Sequence, residues 1–280
     1  MATYKKKKIK MVGLDMDGTA LTTKKELLPY TIRTIRRAID QGVVVLAATG
    51  RPVLGIPEDF RNIPGVKYAL TANGARIMDL DTNQILFESL LPLKNAIQIL
   101  DIFNKYDTLQ EVYFDGQGYA DKDKLENLNR YLLDLNMVEY MLKTRKTVTD
   151  IRRLVSEKNK DMDKVQALFS DLNDREKALE EIRQTQNVTI ACSQATNIEV
   201  NAPGINKGSG LLRLGEMLGI RREEIMACGD GENDVDMLRE VGFGVAVKNG
   251  CSAAKDAADY ITGTNDEQGV AKAIEQFVLV

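Results

Sequence analysis

The feature that most constrains this chain is a short apolar run, Ile9 to Leu14, that stops on two aspartates and a glycine in Asp15-Met16-Asp17-Gly18. An apolar, β-branched run of this length closed by turn formers reads as a buried strand feeding a loop. Between Pro29 and Gly42, apolar residues recur at Ile32, Ile35, Ala38 and Ile39, the period of a helix stopped by glycine. Val43 to Ala48 is a second buried strand. Strand, helix and strand in this order make a parallel βαβ unit with both strand ends at one sheet edge, and ligands of such sheets bind at that carboxyl edge.

The alternation returns late in the chain. Lys207 to Leu218 reads as a helix, Ile225 to Cys228 as a strand, Asp234 to Val241 as a helix and Gly244 to Val247 as a strand, with helices expected at Cys251 to Ala258 and Glu267 to Val278 around a short Tyr260-Ile261-Thr262 strand. The texture between differs. Helical stretches at Leu93 to Tyr106, Lys124 to Asp134, Asp150 to Lys158 and Asp174 to Gln184 mix with strand-like runs at Glu111 to Phe114, Val165 to Phe169, Val188 to Ser193 and Ile198 to Val200. Neither flank alone has enough strands to close a sheet. The expected architecture is therefore α/β: a doubly wound, parallel, Rossmann-like core from 1–86 and 203–280, with an α+β domain inserted at 87–202.

Composition removes several chemistries. The chain has no histidine among 280 residues, which excludes Ser-His-Asp and Cys-His hydrolases and His-ligated zinc. Its net charge of −3 supplies no field for a nucleic-acid backbone or an anionic membrane, so a small molecule is the expected partner. Three scattered cysteines, Cys192, Cys228 and Cys251, form no disulfide or thiolate-metal framework and fit a reducing cytoplasm. Cys228 reads as a core residue of its strand. The start is neither a signal peptide nor a spanning helix, and Lys5 to Lys8 reads as a solvated flank.

Asp15 and Asp17 are two apart where a strand runs out, so both carboxyls can face one ligand while Gly18 turns the backbone away. At the same edge, Thr49-Gly50-Arg51 offers a hydroxyl and amides to phosphate oxygens, or alternatively a helix cap. Asn206-Lys207-Gly208 places a cation before a helix. Asp230 and Asp234, in Gly229-Asp230-Gly231-Glu232-Asn233-Asp234, repeat the first loop's theme after another buried strand. Four converging carboxylates would repel, at about 4 kcal/mol per pair near 4 Å, unless a hard divalent cation sits among them. Oxygen ligands without His or Cys favour Mg²⁺.

In this order, Asp-Met-Asp-Gly-Thr, Thr-Gly-Arg, Asn-Lys-Gly and Gly-Asp-Gly-Glu-Asn-Asp resemble the four motifs of the haloacid dehalogenase superfamily of phosphatases. The insert resembles the type C2 cap of its Cof-like branch. The likeness runs from about Ile9 to Phe277 and includes Thr71-Ala72-Asn73-Gly74-Ala75 and Asn265-Asp266-Glu267-Gln268-Gly269-Val270. Ala20 departs from the leucine common in the family. The resemblance implies that Asp15 is the nucleophile, forming an aspartyl phosphate, and that Asp17 is the general acid and then the base. It implies Mg²⁺ held by Asp15, the Asp17 carbonyl, Asp230 and Asp234, with Thr49 and Lys207 binding the phosphoryl oxygens. Met16, Gly50, Arg51, Asn73, Asn206 and Asn233 would add phosphate or substrate contacts, although Arg51 could equally be a surface residue.

These readings converge on a Mg²⁺-dependent phosphatase of a small phosphorylated metabolite, with sugar phosphates the favoured class. A phosphotransferase or mutase on the same scaffold would hand the phosphoryl group to a second hydroxyl instead. A phosphoacceptor signalling module also clusters acids, a threonine and a lysine, but would be a compact single domain. The insert's cations Lys143, Arg145 and Lys146 could meet a second anionic group of the substrate, but a solvated face is the expected account.

Overall fold

The computed structural model describes residues 8–279. The chain start and Lys5 to Lys7, on which the readings of a solvated flank and of no signal peptide rest, lie outside the described residues.

β1 (Met11–Leu14) is buried along its length, and the helix Pro29–Asp40, with proline in its first turn, leads to β2 (Val44–Ala48), parallel to β1. β3 (Tyr68–Thr71) extends the parallel set, after which the chain reverses into an antiparallel hairpin, β4 (Arg76–Asp79) and β5 (Gln84–Glu88). Sequence pattern alone misses this hairpin. β5 is the sheet's edge and exposes Ile85 and Leu86, so no alternation of apolar and polar residues marks it.

The insert folds around a second sheet. β6 (Thr108–Phe114), β7 (Gln117–Asp121), β8 (Arg145–Val148), β9 (Lys164–Phe169), β10 (Thr189–Ala191) and β11 (Asn197–Asn201) lie in the order β10-β11-β9-β6-β7-β8, antiparallel except for the β7/β8 pair. Helices Leu93–Phe103, Ile151–Lys158 and Leu172–Arg183 cover one face, burying Phe103, Val155 and Ile182 against Val112, Phe114 and Val165. The helix expected over Lys124 to Asp134 is corrected: the segment breaks into a short helix Lys122–Leu125 and a single turn Leu128–Arg130. Asn127 turns its amide back onto the Asp123 carbonyl, and Lys124, Arg130 and Tyr131 all donate to the Asp107 carboxylate, which ties the broken segment to the start of β6. The helix Met137–Thr144 that follows was not expected from the sequence.

β12 (Ile225–Gly229), β13 (Phe243–Ala246) and β14 (Tyr260–Ile261) return to the first sheet, whose order is β14-β13-β12-β1-β2-β3-β4-β5. Helices Pro29–Asp40 and Gly269–Phe277 pack on one face with Val12, Val45 and Val245, while Lys207–Leu218 and Val235–Glu240 pack on the other with Met11, Leu46 and Ile225. Large side chains buried this way contribute about 1.5–3 kcal/mol each by leaving water. The sheet is doubly wound with its cap inserted, and the second sheet sets aside a one-sheet signalling module. Since β2 and β12 flank β1, their carboxyl ends open together at the point where the strand order switches. No helix among the described residues is long and apolar enough to cross a membrane.

Candidate active site

Leu14 ends β1, and Asp15 follows in extended backbone with its amide donating to the Cys228 carbonyl at 3.0 Å, which pins the loop to β12. The chain then makes a wide turn over Met16–Ala20. Gly18 is required there. Its φ is +76°, and a Cβ at this position would lie 2.5 Å from Asp230 Oδ2. Thr19 donates to Asp230 Oδ1 at 2.6 Å, so the first and last loops are tied side chain to side chain.

The last loop folds around Asp234. Its Oδ2 accepts from the amides of Asp230 and Gly231 at 2.9 and 3.0 Å, and its Oδ1 accepts from Lys207 Nζ at 2.7 Å. The same ammonium donates to Asp15 Oδ1 at 2.7 Å, and Lys207 is wholly buried. The helix it begins is capped by Asn206, whose side chain accepts from the Ser209 amide at 2.7 Å and donates to Glu240. Asn206 is thus spent on its helix, and the structure does not bring its side chain to the aspartates.

Asp15, Asp230 and Asp234 offer carboxylate oxygens within 4.8 Å of one another. Burial, with the charges of Asp234 and Asp230, pushes the Asp15 carboxyl well above the ordinary range although Lys207 opposes it. Burial and Asp234 lift Asp230 to about 6, and Asp15 and Asp234 hold the Lys207 ammonium protonated far above neutrality. Three carboxylates against one ammonium leave a surplus of negative charge, and every donor is oxygen. That set suits a hard divalent cation such as Mg²⁺.

Asp17 turns the other way. Arg51 grips it with Nε at 2.7 Å and Nη2 at 2.6 Å, and Lys25 Nζ lies 3.3 Å away while also reaching Asp134 of the cap at 3.0 Å. Burial would raise the Asp17 carboxyl, but the charges of Arg51 and Lys25 outweigh it and hold the group below its usual range. Arg51 is 7% exposed, donates to the Gly55 carbonyl at 2.6 Å and stacks on Tyr140 of the cap at 4.0 Å, which corrects the alternative of a surface arginine.

Thr49 is buried at the end of β2 with its hydroxyl accepting from the Arg51 amide at 3.1 Å, and Gly50 passes so close to Asn73 that a Cβ would meet Asn73 Oδ1 at 2.9 Å. Asn73 faces the cap, donating to Glu199 at 2.9 Å and to Asn201 at 3.2 Å. Asn233 lines the cleft, while the side chain of Met16 is packed in the core and leaves only its main chain at the site. Cys228 is a core residue as expected, its thiol pushed up to about 12 by burial and by Asp234.

Above the aspartates lies the cap-sheet face opposite its three packed helices; the 122–144 segment covers part of it through Leu109 and Leu168, and the rest encloses a cleft of about 270 Å³. Residues two apart share a strand face, so Glu111 and Tyr113 of β6, Lys164 and Gln166 of β9, and Glu199 of β11 form one polar surface. Arg145 joins it. It is buried against Glu111, with Nε 2.7 Å from Oε1, which corrects the expectation of a solvated Arg145; Lys146 is exposed and Lys143 pairs with Glu139 on the surface. None of Lys25, Tyr140, Glu111, Tyr113, Lys164, Gln166 or Glu199 was singled out from sequence. The signal was present as polar residues alternating with apolar ones in Lys164–Phe169 and Asn197–Asn201, a pattern that ordinarily marks a wet face.

The model of a family described as haloacid dehalogenase-like hydrolase matches residues 12–274, nearly the whole chain. The chain belongs to the haloacid dehalogenase-like hydrolases. It is 35% identical over 272 residues to the 5-amino-6-(5-phospho-D-ribitylamino)uracil phosphatase YcsE of Bacillus subtilis, a match covering 97% of this chain and 96% of the relative. A second B. subtilis phosphatase named for that substrate, YitU, is 28% identical, with 95% and 97% covered. A solved haloacid dehalogenase-like hydrolase from B. subtilis superimposes with a TM-score of 0.85 at 26% identity, covering 95% of this chain and 99% of that one. The family resemblance read from the four motifs therefore holds across core and cap. As a haloacid dehalogenase-like hydrolase, the chain has named relatives that are phosphatases of small phosphorylated metabolites.

Proposed function

We propose that the protein is a Mg²⁺-dependent phosphomonoesterase that hydrolyses a small phosphorylated metabolite through an aspartyl phosphate on Asp15. The observation that carries this reading is the triad Asp15, Asp230 and Asp234, its first and last members buried on Lys207, at the carboxyl edge of β1 and β12. Asp15, the Asp17 carbonyl, Asp230 and Asp234 are the groups assigned to the cation, which when bound offsets charge on the transferring phosphoryl group.

In the first step the Asp15 carboxylate attacks phosphorus and the ester P–O bond breaks; the proton the departing alkoxide takes up is assigned to Asp17, which must first be released from the Arg51 and Lys25 charges that hold its carboxyl low. In the second, water attacks the aspartyl phosphate while Asp17 accepts its proton, releasing phosphate and restoring Asp15. Lys207 and Thr49 are assigned to the phosphoryl oxygens, with Gly50, Asn233 and the Met16 main chain beside them. Arg51 and Asn73, on core loops, are assigned to the boundary with the cap, Arg51 by holding Asp17 and Asn73 by joining Glu199. The core is assigned to 1–86 and 203–280 and the cap to 87–202, with connections at Ser89 to Pro92 and Asn201 to Gly204. Sugar and sugar-alcohol phosphates are the favoured substrates, in keeping with the ribityl phosphate named for YcsE.

The test is acid quenching during turnover of ³²P-labelled substrate with Mg²⁺. Hydroxylamine-sensitive label on the wild type, absent from Asp15→Asn and from chelated enzyme, is the expected result. Label retained by folded Asp15→Asn, or full turnover in excess chelator, would overturn it.

A further inference from the structure

The cap face over the cleft carries two cations, and both are already spent. Lys164 pairs with Glu199 and also donates to Gln166 Oε1 at 2.8 Å. Arg145 pairs with Glu111 through two nitrogens, at 2.7 and 3.2 Å. The two carboxylates are in turn saturated. Glu199 accepts from Asn73 at 2.9 Å, Ser193 at 2.6 Å and Asn197 at 3.0 Å, and Glu111 accepts from Tyr113 at 2.7 Å and from Gln166. All four charged groups are at most 4% exposed by side chain.

These two pairs have no net charge to offer, and Asp134, the cap's other charged residue at the cleft, is paired with Lys25 of the core at 3.0 Å. A second anionic group on the substrate could be met only by drawing Lys164 or Arg145 away from its partner, leaving a carboxylate buried and unpaired. A second cationic group would meet the same obstacle from the other side. Around these pairs the cleft presents neutral surfaces: the rings of Tyr113 and Tyr140, the side chains of Met137, Met141 and Leu168, and the Gln194 amide.

We infer that the charge-paired cap face selects a leaving group with no charge of its own, an uncharged hydroxyl- or amide-bearing group, and rejects substrates with a second anion. The inference rests on the phosphatase reading and deepens it. Glu111, Lys164, Arg145 and Glu199 act here as specificity residues through the neutrality of their pairs.

The experiment uses the full-length Mg²⁺-loaded protein and two matched probes, ribitol 5-phosphate and 5-phosphoribonate, which differ in a CH₂OH against a carboxylate at the far end. Each is measured by phosphate release and as a competitor of p-nitrophenyl phosphate, so that a poor substrate still reports its binding. The wild type is expected to favour the neutral probe by about tenfold or more. Glu199→Gln, which leaves Lys164 without its anion, shifts the ratio toward the carboxylate by about tenfold, and Glu111→Gln does the same through Arg145 if the first variant fails to fold. Equal or better use of 5-phosphoribonate by the wild type overturns the inference while leaving the phosphatase reading intact, and a folded variant that shifts toward the neutral probe overturns it too. No phosphate release from any of the three compounds would instead bring down the phosphatase reading, and this inference with it.

Discussion

Gly18 occupies the tightest point between the two acidic loops, where φ is +76° and Asp230 Oδ2 lies 2.5 Å from any added Cβ. Gly18→Ala is therefore expected to cost about 1–3 kcal/mol of stability in urea titrations and to lower activity further by displacing Asp230. Wild-type kcat in a folded variant would show that Asp230 is not needed where it stands. Asp17→Asn separates the halves of the reaction. An aryl phosphate leaves as a stabilised phenolate and needs no proton, whereas hydrolysis of the aspartyl phosphate loses base assistance worth about 10²–10⁴-fold. Rapid mixing should show a phenol burst of at most one equivalent and then a slow phase; equal losses on aryl and alkyl phosphates with no burst would remove Asp17 from proton transfer. At this scale the sequence was legible for which residues meet at the sheet edge, since Asp15, Asp230, Asp234 and Lys207 each sit in a short loop beside a readable strand or helix. It was illegible where a partner comes from elsewhere in the chain: nothing near Arg51 announces Asp17 and Tyr140, and nothing near Asn206 announces Glu240, although its place just before a helix already marked it as a cap.

Among elements, the broken segment from Lys122 to Leu132 is held by one carboxylate. Asp107 accepts from Lys124, Tyr131 and Ser170, each at 2.9 Å, and from Arg130. Burial alone would raise its carboxyl, but these donors hold it well below the usual range. A carboxyl depressed by folding adds stability above its unfolded value of about 3.9 and loses it as the pH falls through and below that point. Asp107→Asn should therefore cost about 1 kcal/mol at pH 7, an allowance that includes solvent screening, and progressively less below about pH 4. Urea midpoints at the two pH values measure this, and a cost that does not shrink in acid would assign the segment to packing instead. Core strands such as β1 and β12 declared themselves because both faces are buried and the run is continuously apolar. The hairpin β4/β5 and the helix Met137–Thr144 did not, because each is half-exposed and its pattern is set by neighbours remote in sequence.

For the whole molecule, core and cap share a buried ion pair near their connection, with Arg76 Nε 2.6 Å from Asp163 Oδ1 and the two side chains 4% and 1% exposed. Asp163→Ala leaves Arg76 with Glu88, 2.9 Å away, and Asp115 but takes the acceptor from the Gly116 amide, and should cost about 1–3 kcal/mol, resolving one calorimetric transition into two as cap and core lose a common tie. A single unshifted transition would show that the pair carries no coupling. Cation binding is readable at the same scale. A ligand present at 100 times its dissociation constant stabilises by about 2.7 kcal/mol, so Mg²⁺ should raise the melting temperature of the wild type and not that of Asp230→Asn. The division into a split core and an insert followed from chain order alone, whereas the way the insert's polar face closes over the core edge depends on a sheet whose six strands had been read only in part.

The alternation in β6, β9 and β11 also bears on how such an enzyme could change its substrate over generations. Val112, Val165, Ile198 and Val200 hold the cap together on one side, while Glu111, Tyr113, Lys164, Gln166 and Glu199 meet the cleft on the other. Mutation can thus explore new recognition at every second position while the intervening residues keep the domain folded. A combinatorial library confined to those five cleft-facing positions should yield altered preferences among soluble proteins, and one confined to the four apolar positions should yield mostly insoluble chains.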